Sequence, residues 1–192
     1  YWRSFYATNG VSWVNLPAEI SVSAEQALEM KKLMELGFDR MIIIPANLSD
    51  TPDNYERLHG AMSVGYGATT TGSNYDAEGK FKGAVDKRSG LRIILTRDVQ
   101  NLVGLPKTDL FGKTLGLTPD QLDAQIFKAE EYKALKLSGM TESEYLVFQR
   151  AYFQKTGKHP DENGWTWLPE SGRGRPLSGR VPGARWFGSR LL

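Results

Sequence analysis

The chain contains no cysteine. This absence excludes a disulfide framework, a thiolate nucleophile and sulfur ligation of zinc or iron–sulfur clusters. It leaves the compartment open, because a reducing cytosol and a secreted protein without disulfides are both compatible with it. The two histidines, His59 and His159, do not have a second histidine at helical spacing. A metal site would therefore have to use carboxylates and carbonyls, which suit magnesium or calcium better than zinc or copper. We expect no metal site and no cofactor.

Long apolar runs are also absent. The tightest run covers residues 41–44, whereas a membrane-spanning helix needs about 18 or more apolar residues. We therefore expect no membrane span. The first residue is Tyr1 rather than methionine, so we expect the natural N-terminus to lie upstream. With 192 residues, of which 40% are hydrophobic and 24% charged, the composition predicts a soluble globular protein.

Strand signals are concentrated in the first half of the chain. Asn9-Gly10 lies between two aromatic runs, which predicts a β-hairpin over residues 1–16. The apolar run at 40–44 ends at Pro45 and predicts a central strand buried on both faces. Residues 91–95 predict a second strand, and the dense glycines between positions 60 and 90 predict short strands and tight turns.

Helix signals are capping boxes, in which a Ser or Thr hydroxyl and a Gln or Glu side chain three residues later satisfy amides of the first turn. Ser23 begins one such box, and apolar spacing then predicts a helix over 24–36. Further boxes at Thr118 and Thr141 predict two helices that form an antiparallel hairpin. Two short strands are expected after this hairpin.

These elements predict an α+β fold with a mixed or mostly antiparallel sheet. The N-terminal hairpin and one early helix belong to a β-rich part over residues 1–105. The helical hairpin, the short strands and an arginine-rich segment belong to residues 106–192. The connection between these parts has no linker composition, so we expect one compact unit.

The glycine-rich stretch contains two incomplete phosphate-loop patterns. Gly67 and Gly72 have the required spacing, but the lysine and hydroxyl residue that should follow are missing. Gly112-Lys113-Thr114 has the second half of the pattern without its first glycine. Turn glycines explain both patterns better than a nucleotide site does.

A nucleic-acid-acting enzyme needs groups that activate water or move protons beside a phosphate. The candidate catalytic residues are His59, Asp53, Glu78, Lys80 and Tyr66. In a metal-dependent nuclease the carboxylates and the lysine would act together, whereas in a metal-free one His59 would be general acid or base. Each also has a structural interpretation, because charges at a hairpin tip are solvated and a histidine near a helix end commonly stabilises that terminus.

The clearest asymmetry is electrostatic. The formal net charge is +2, yet residues 172–192 carry five arginines with no lysine and no acidic residue, so the remaining residues are net negative. Arginine presents planar, paired donors to phosphate or carboxylate. The candidate partner-binding residues, which include one tryptophan able to stack on a base, are Arg173, Arg175, Arg180, Arg185, Arg190 and Trp186.

Two functional hypotheses follow. The first is a non-enzymatic binding or assembly protein that contacts a nucleic acid or an acidic protein through the arginine-rich segment, with self-association compatible with this role. The alternative is a nuclease or toxin-like domain that uses His59 or the carboxylate and lysine cluster. Carbohydrate binding through the tryptophans is a third hypothesis, and it has no support beyond their number.

Overall fold

The computed structural model describes residues 1–63, 88, 90–96, 118–160, 166–168, 183–184, 186–187 and 190–191. Its α-helices are α1 (Trp2–Thr8), α2 (Ala24–Glu35), α3 (Pro52–Ser63), α4 (Pro119–Leu122) and α5 (Glu142–Thr156). Its strands are β1 (Arg40–Ile44), β2 (Arg92–Thr96), β3 (Thr166–Trp167), β4 (Gly183–Ala184), β5 (Trp186–Phe187) and β6 (Arg190–Leu191). The fold is broadly α+β, as the sequence predicts.

The main sheet is a two-stranded antiparallel pair, in which Ile42 of β1 lies opposite Ile94 of β2. Because side chains alternate along a strand, one face carries Ile42 and Ile44 and the other carries Met41 and Ile43. The first face lies against α5, where Arg92 of β2 reaches the Glu144 carboxylate. On the second face α2 lies beside β2, with Met30 and Leu33 lining the same space as Ile93 and Leu95.

The core contains the α5 face of this sheet together with Ile43 from the other face. It combines buried side chains of α1, β1, α3 and α5 in one cluster: Phe5, Tyr6, Ile42, Ile44, Leu58, Met62, Tyr145, Leu146 and Phe148. The Tyr6 hydroxyl donates a hydrogen bond of 2.6 Å to the Ile43 carbonyl, which ties α1 to β1. Residues from both predicted parts of the chain therefore share one core, while the boundary near residue 105 lies outside the described residues.

Both capping boxes that begin well-formed helices are confirmed. The Ser23 hydroxyl accepts a hydrogen bond from the backbone N–H of Gln26, and the Gln26 side-chain oxygen accepts one from the backbone N–H of Ser23. Thr141 and Glu144 make the same reciprocal contacts at the start of α5. Gly157 then ends α5 in the left-handed conformation, at φ 69°, which glycine adopts without steric penalty.

The predicted N-terminal hairpin is wrong. Residues Trp2–Thr8 form helix α1, and Asn9 follows as its C-cap. Phe5 and Tyr6 are buried while Trp2 packs against the core, so one helical face is apolar. Gly10 does adopt a positive φ of 75°, but this left-handed residue ends a helix instead of turning a hairpin.

The region predicted as the first arm of a helical hairpin is not one helix. After the short α4, residues Asp123–Phe127 form a π-helical segment and Glu130–Leu135 form a 3-10 segment. α5 instead packs against α3 and β1. Within residues 118–135, among the side chains that the structure describes, Ile126 is the buried one. A helix is stabilised mainly by packing its apolar face against the rest of the protein, and among the described side chains of this segment few are buried.

The strand predictions agree better with the structure. Strands β1 and β2 lie within one residue of their predicted positions. Burial of β1 on both faces is wrong, because Met41 is 48% exposed. In the described part of the chain, the strand partner of β1 is β2. Most of the glycine-rich region, residues 64–87 and 89, lies outside the described residues.

Candidate functional site

Two aromatic residues of α3 form one side of the candidate site. The helix begins where Thr51 accepts a hydrogen bond of 3.2 Å from the Asn54 amide, and proline at its first position suits helix initiation. Tyr55 and His59 lie one turn apart, with ring centres separated by 5.0 Å. Both side chains are buried, so α3 presents this pair towards the interior.

Glu142, the first residue of α5, supplies the third member. The Tyr55 hydroxyl donates to Glu142 Oε2 at 2.6 Å, and His59 Nε2 lies 3.2 Å from Glu142 Oε1. One carboxylate thus receives a phenol on one oxygen and faces an imidazole with the other. We call these three residues the α3–α5 cluster. Its imidazole–carboxylate contact becomes an ion pair when His59 is protonated.

The burial of the α3–α5 cluster limits its chemistry. The His59 side chain is 7% exposed and that of Glu142 is 13% exposed. Both ring nitrogens of His59 are shielded from solvent. A carboxylate beside an imidazole can orient the ring for proton transfer, but in this arrangement a substrate reaches the ring only after a side chain or helix moves.

A second polar cluster lies two residues further along α5. The Glu144 carboxylate is fully buried and pairs with Arg88 at 3.1 Å and Arg92 at 3.0 Å. It also accepts from the Thr141 amide at 2.8 Å. These hydrogen bonds compensate the cost of burying its charge. The cluster therefore joins the start of α5 to β2 and to the residues just before it.

The structure describes two of the five predicted catalytic residues. His59 belongs to the α3–α5 cluster, whereas Asp53 is exposed in the first turn of α3. Glu78, Lys80 and Tyr66 lie outside the described residues.

Two of the six predicted partner-binding residues belong to described elements of the C-terminal region. Arg173, Arg175, Arg180 and Arg185 lie outside the described residues. Trp186 and Arg190 belong to β5 and β6, and their side chains are not among those described. The described backbone pairs Phe187 with Arg190, and Thr166 of β3 with Ala184 of β4.

Sequence reasoning missed Tyr55 and Glu142. The spacing of Tyr55 and His59 in a helix places them on the same face, so their ring contact was open to prediction. Glu142 lies 87 residues from Tyr55 in the sequence. An acidic residue in the first turn of a helix is also explained locally, because it interacts favourably with the helix dipole. No local pattern connects α3 with α5.

The sequence around His159, Lys158-His159-Pro160-Asp161, is typical of an exposed loop. The structure buries His159 and stacks its ring on Phe153, with ring centres 4.6 Å apart. Among the described residues, no three His, Cys, Asp or Glu side chains are grouped to hold a metal ion. No helix in the described ranges is long and apolar enough to cross a membrane.

Comparison with known proteins identifies no relative of this chain. No protein family, no curated protein and no solved structure matches this chain. The functional argument therefore depends on the residues themselves.

Proposed function

We propose that this protein is a non-enzymatic binding protein that contacts an anionic partner through its arginine-rich segment, residues 172–192. The observation that carries the proposal is the concentration of five arginines, without lysine or acidic residues, in a chain that is otherwise net negative. Such a stretch attracts polyanions at long range and then offers paired N–H donors on contact.

The pairing of the C-terminal strands supports this proposal. β3 pairs with β4, so the connection that carries Arg173, Arg175 and Arg180 begins and ends at one strand pair. Arg185 lies between β4 and β5, and Arg190 belongs to β6. An attached segment loses less conformational entropy on binding than a free tail does.

A nucleic-acid backbone is the anionic partner that the residue types favour. Guanidinium groups bind phosphate oxygens in pairs, and glycine at positions 172, 174, 179 and 188 allows close approach of the backbone to a ligand. Trp186 adds a ring on which a base can stack. An acidic protein surface would use the charges but would not need the tryptophan.

The test is fluorescence-anisotropy binding of labelled single-stranded DNA, duplex DNA and RNA, from about 50 to about 200 mM salt. The full chain is compared with the triple variant Arg173→Gln, Arg175→Gln, Arg180→Gln. We expect the slope of log affinity against log salt to become shallower by about 2 to 3, because each lost phosphate contact removes about 0.7 to 0.9.

The matched control changes three exposed lysines elsewhere, Lys31, Lys32 and Lys158, to glutamine. It alters net charge by the same amount, so equal slopes in the two triple variants would contradict a role for the segment. Binding of polyglutamate but of no oligonucleotide would identify an acidic protein as the partner. Absence of binding to every polyanion would overturn the proposal.

The α3–α5 cluster favours a second candidate function, a nucleic-acid-cleaving enzyme with His59 as general acid or base. Its support is the 3.2 Å contact between His59 Nε2 and the Glu142 carboxylate. If His59 transfers protons, His59→Gln lowers cleavage of RNA or DNA by about 10²- to 10⁴-fold while the circular dichroism spectrum is retained. No cleavage by the unchanged chain, or equal cleavage by the folded variant, would remove this candidate.

A further inference from the structure

A cleft on the side of the molecule formed by α1, β1 and α5 has no role in the functions proposed above. Its volume is about 600 Å³, which is within the range of roughly 300 to 1,000 Å³ that small-molecule sites occupy. The residues that matter most to its chemistry are Trp2, Arg40, Met41, Phe148, Tyr152 and Lys155. We call this space the α1–α5 cleft.

The apolar lining of the cleft is held in place by the core. Phe148 and Tyr152 are buried, with ring centres 5.9 Å apart. Trp2 packs edge-on against Phe5, with ring centres separated by 5.1 Å. Met41 is 48% exposed beside them. A flat apolar ligand would therefore meet fixed aromatic rings on α1 and α5.

The charges of the lining favour an anion. The Arg40 guanidinium carbon lies 4.8 Å from the centre of the Tyr152 ring, a cation–π geometry that fixes the guanidinium on this wall. Lys155 follows Tyr152 by three residues, so it lies on the same side of α5. Asp39 contributes a negative charge to the same lining. Arg40 and Lys155 thus place two positively charged groups beside these aromatic rings.

We propose that the α1–α5 cleft binds a small planar aromatic anion, such as an aromatic carboxylate or sulfonate. The ring system lies among Trp2, Phe148 and Tyr152, and the anionic group faces Arg40 and Lys155. The cleft lies outside the arginine-rich segment and the α3–α5 cluster. This inference is therefore independent of the proposed function.

The test uses 1-anilinonaphthalene-8-sulfonate, an aromatic sulfonate whose fluorescence rises on binding, and N-phenyl-1-naphthylamine, which has the same rings without the charge. We expect saturable binding of the sulfonate at one site per chain. Lys155→Glu should weaken the sulfonate about tenfold, by replacing attraction with repulsion. The same variant should change the affinity of the neutral probe by less than about twofold.

The matched control is Lys158→Glu, an exposed position just beyond α5 that does not line the cleft. It makes the same change in net charge and should leave sulfonate binding unchanged. The triple arginine variant should also bind the sulfonate normally, which separates this site from the proposed polyanion site. In nuclear magnetic resonance spectra, the Trp2 indole signal should shift on binding.

Three outcomes would overturn the proposal. The first is equal weakening by Lys155→Glu and Lys158→Glu, which would show a general charge effect. The second is binding that does not saturate. The third is saturable binding that leaves the Trp2 signal unmoved, because the probe would then occupy another surface.

Discussion

The helices on the two faces of the β1–β2 sheet begin in the same way and are packed very differently. α2 and α5 both start with a complete capping box. α2 has no buried residue, whereas α5 buries most of the residues in its first half. The difference teaches that a capping box fixes where a helix begins, while contacts with the rest of the fold decide how firmly it is held.

The polar residues of the two boxes show the same contrast. Gln26 is exposed, and its side-chain oxygen accepts a hydrogen bond of 2.8 Å from the Ser23 backbone N–H. Glu144 is fully buried and binds the Thr141 amide together with Arg88 and Arg92. The Ser23–Gln26 box thus stabilises only the first turn of its own helix, whereas the Thr141–Glu144 box also connects α5 to the sheet.

The largest expected effect comes from the buried box. Glu144→Ala should lower the free energy of unfolding by about 3 to 5 kcal/mol, because it leaves Arg88 and Arg92 without their buried carboxylate. Gln26→Ala, at the equivalent position of α2, should cost about 1 kcal/mol or less. Urea denaturation of both variants measures the difference. Equal losses would show that the two boxes contribute alike.

The apolar faces should differ in the same direction. Leu146 of α5 is 2% exposed, whereas Leu28 of α2 is 54% exposed. We expect Leu146→Ala to cost about 2 to 5 kcal/mol by opening a cavity, and Leu28→Ala to change stability by at most about 0.5 kcal/mol. Thermal denaturation of the pair provides the measurement. A large loss in Leu28→Ala would mean that α2 is covered in solution.

The smallest effect concerns Tyr6, whose hydroxyl donates a hydrogen bond from α1 to the Ile43 carbonyl of β1. Burial raises the pKa of its phenol well above the ordinary value, with Arg92 opposing the shift. The folded chain therefore keeps Tyr6 protonated at pH values where the unfolded chain ionises it. The contribution of this protonation difference to the free energy of unfolding is complete below about pH 10. Above that pH it is lost, at up to about 1.4 kcal/mol per pH unit.

Tyr6→Phe checks this pH dependence. The variant should be less stable by about 1 kcal/mol at neutral pH, because the Ile43 carbonyl loses its donor. Above pH 10 its stability should fall less steeply with pH than that of the unchanged chain. Parallel curves for the two proteins, measured by urea denaturation across the alkaline range, would contradict the assignment.

The elements with purely local signals could be predicted from the sequence. α2, β1, β2 and α5 lie close to their expected positions, because capping residues and continuous apolar runs depend on neighbours in sequence. The N-terminal segment was predicted wrongly because its Asn-Gly pair fits both a hairpin turn and a helix end. The spacing of Trp2, Phe5 and Tyr6 favours the helix, and their packing on the core decides it.

The candidate site depended on contacts that no local pattern contains. His59 was singled out as a residue type, but its environment is set by Glu142, which α5 brings to α3 across the core. The same applies to His159, whose stacking on Phe153 follows from the chain turning back after Gly157. Periodicity identifies the buried face of a helix without identifying what that face meets.

The most direct test of the contrast between the two sheet faces is native-state hydrogen exchange, resolved by residue, over a series of low denaturant concentrations. We predict that the slowest amides of α5 exchange only by global unfolding, whereas those of α2 exchange by a local opening of much lower free energy. Equal opening free energies for the two helices, both matching global unfolding, would contradict the account.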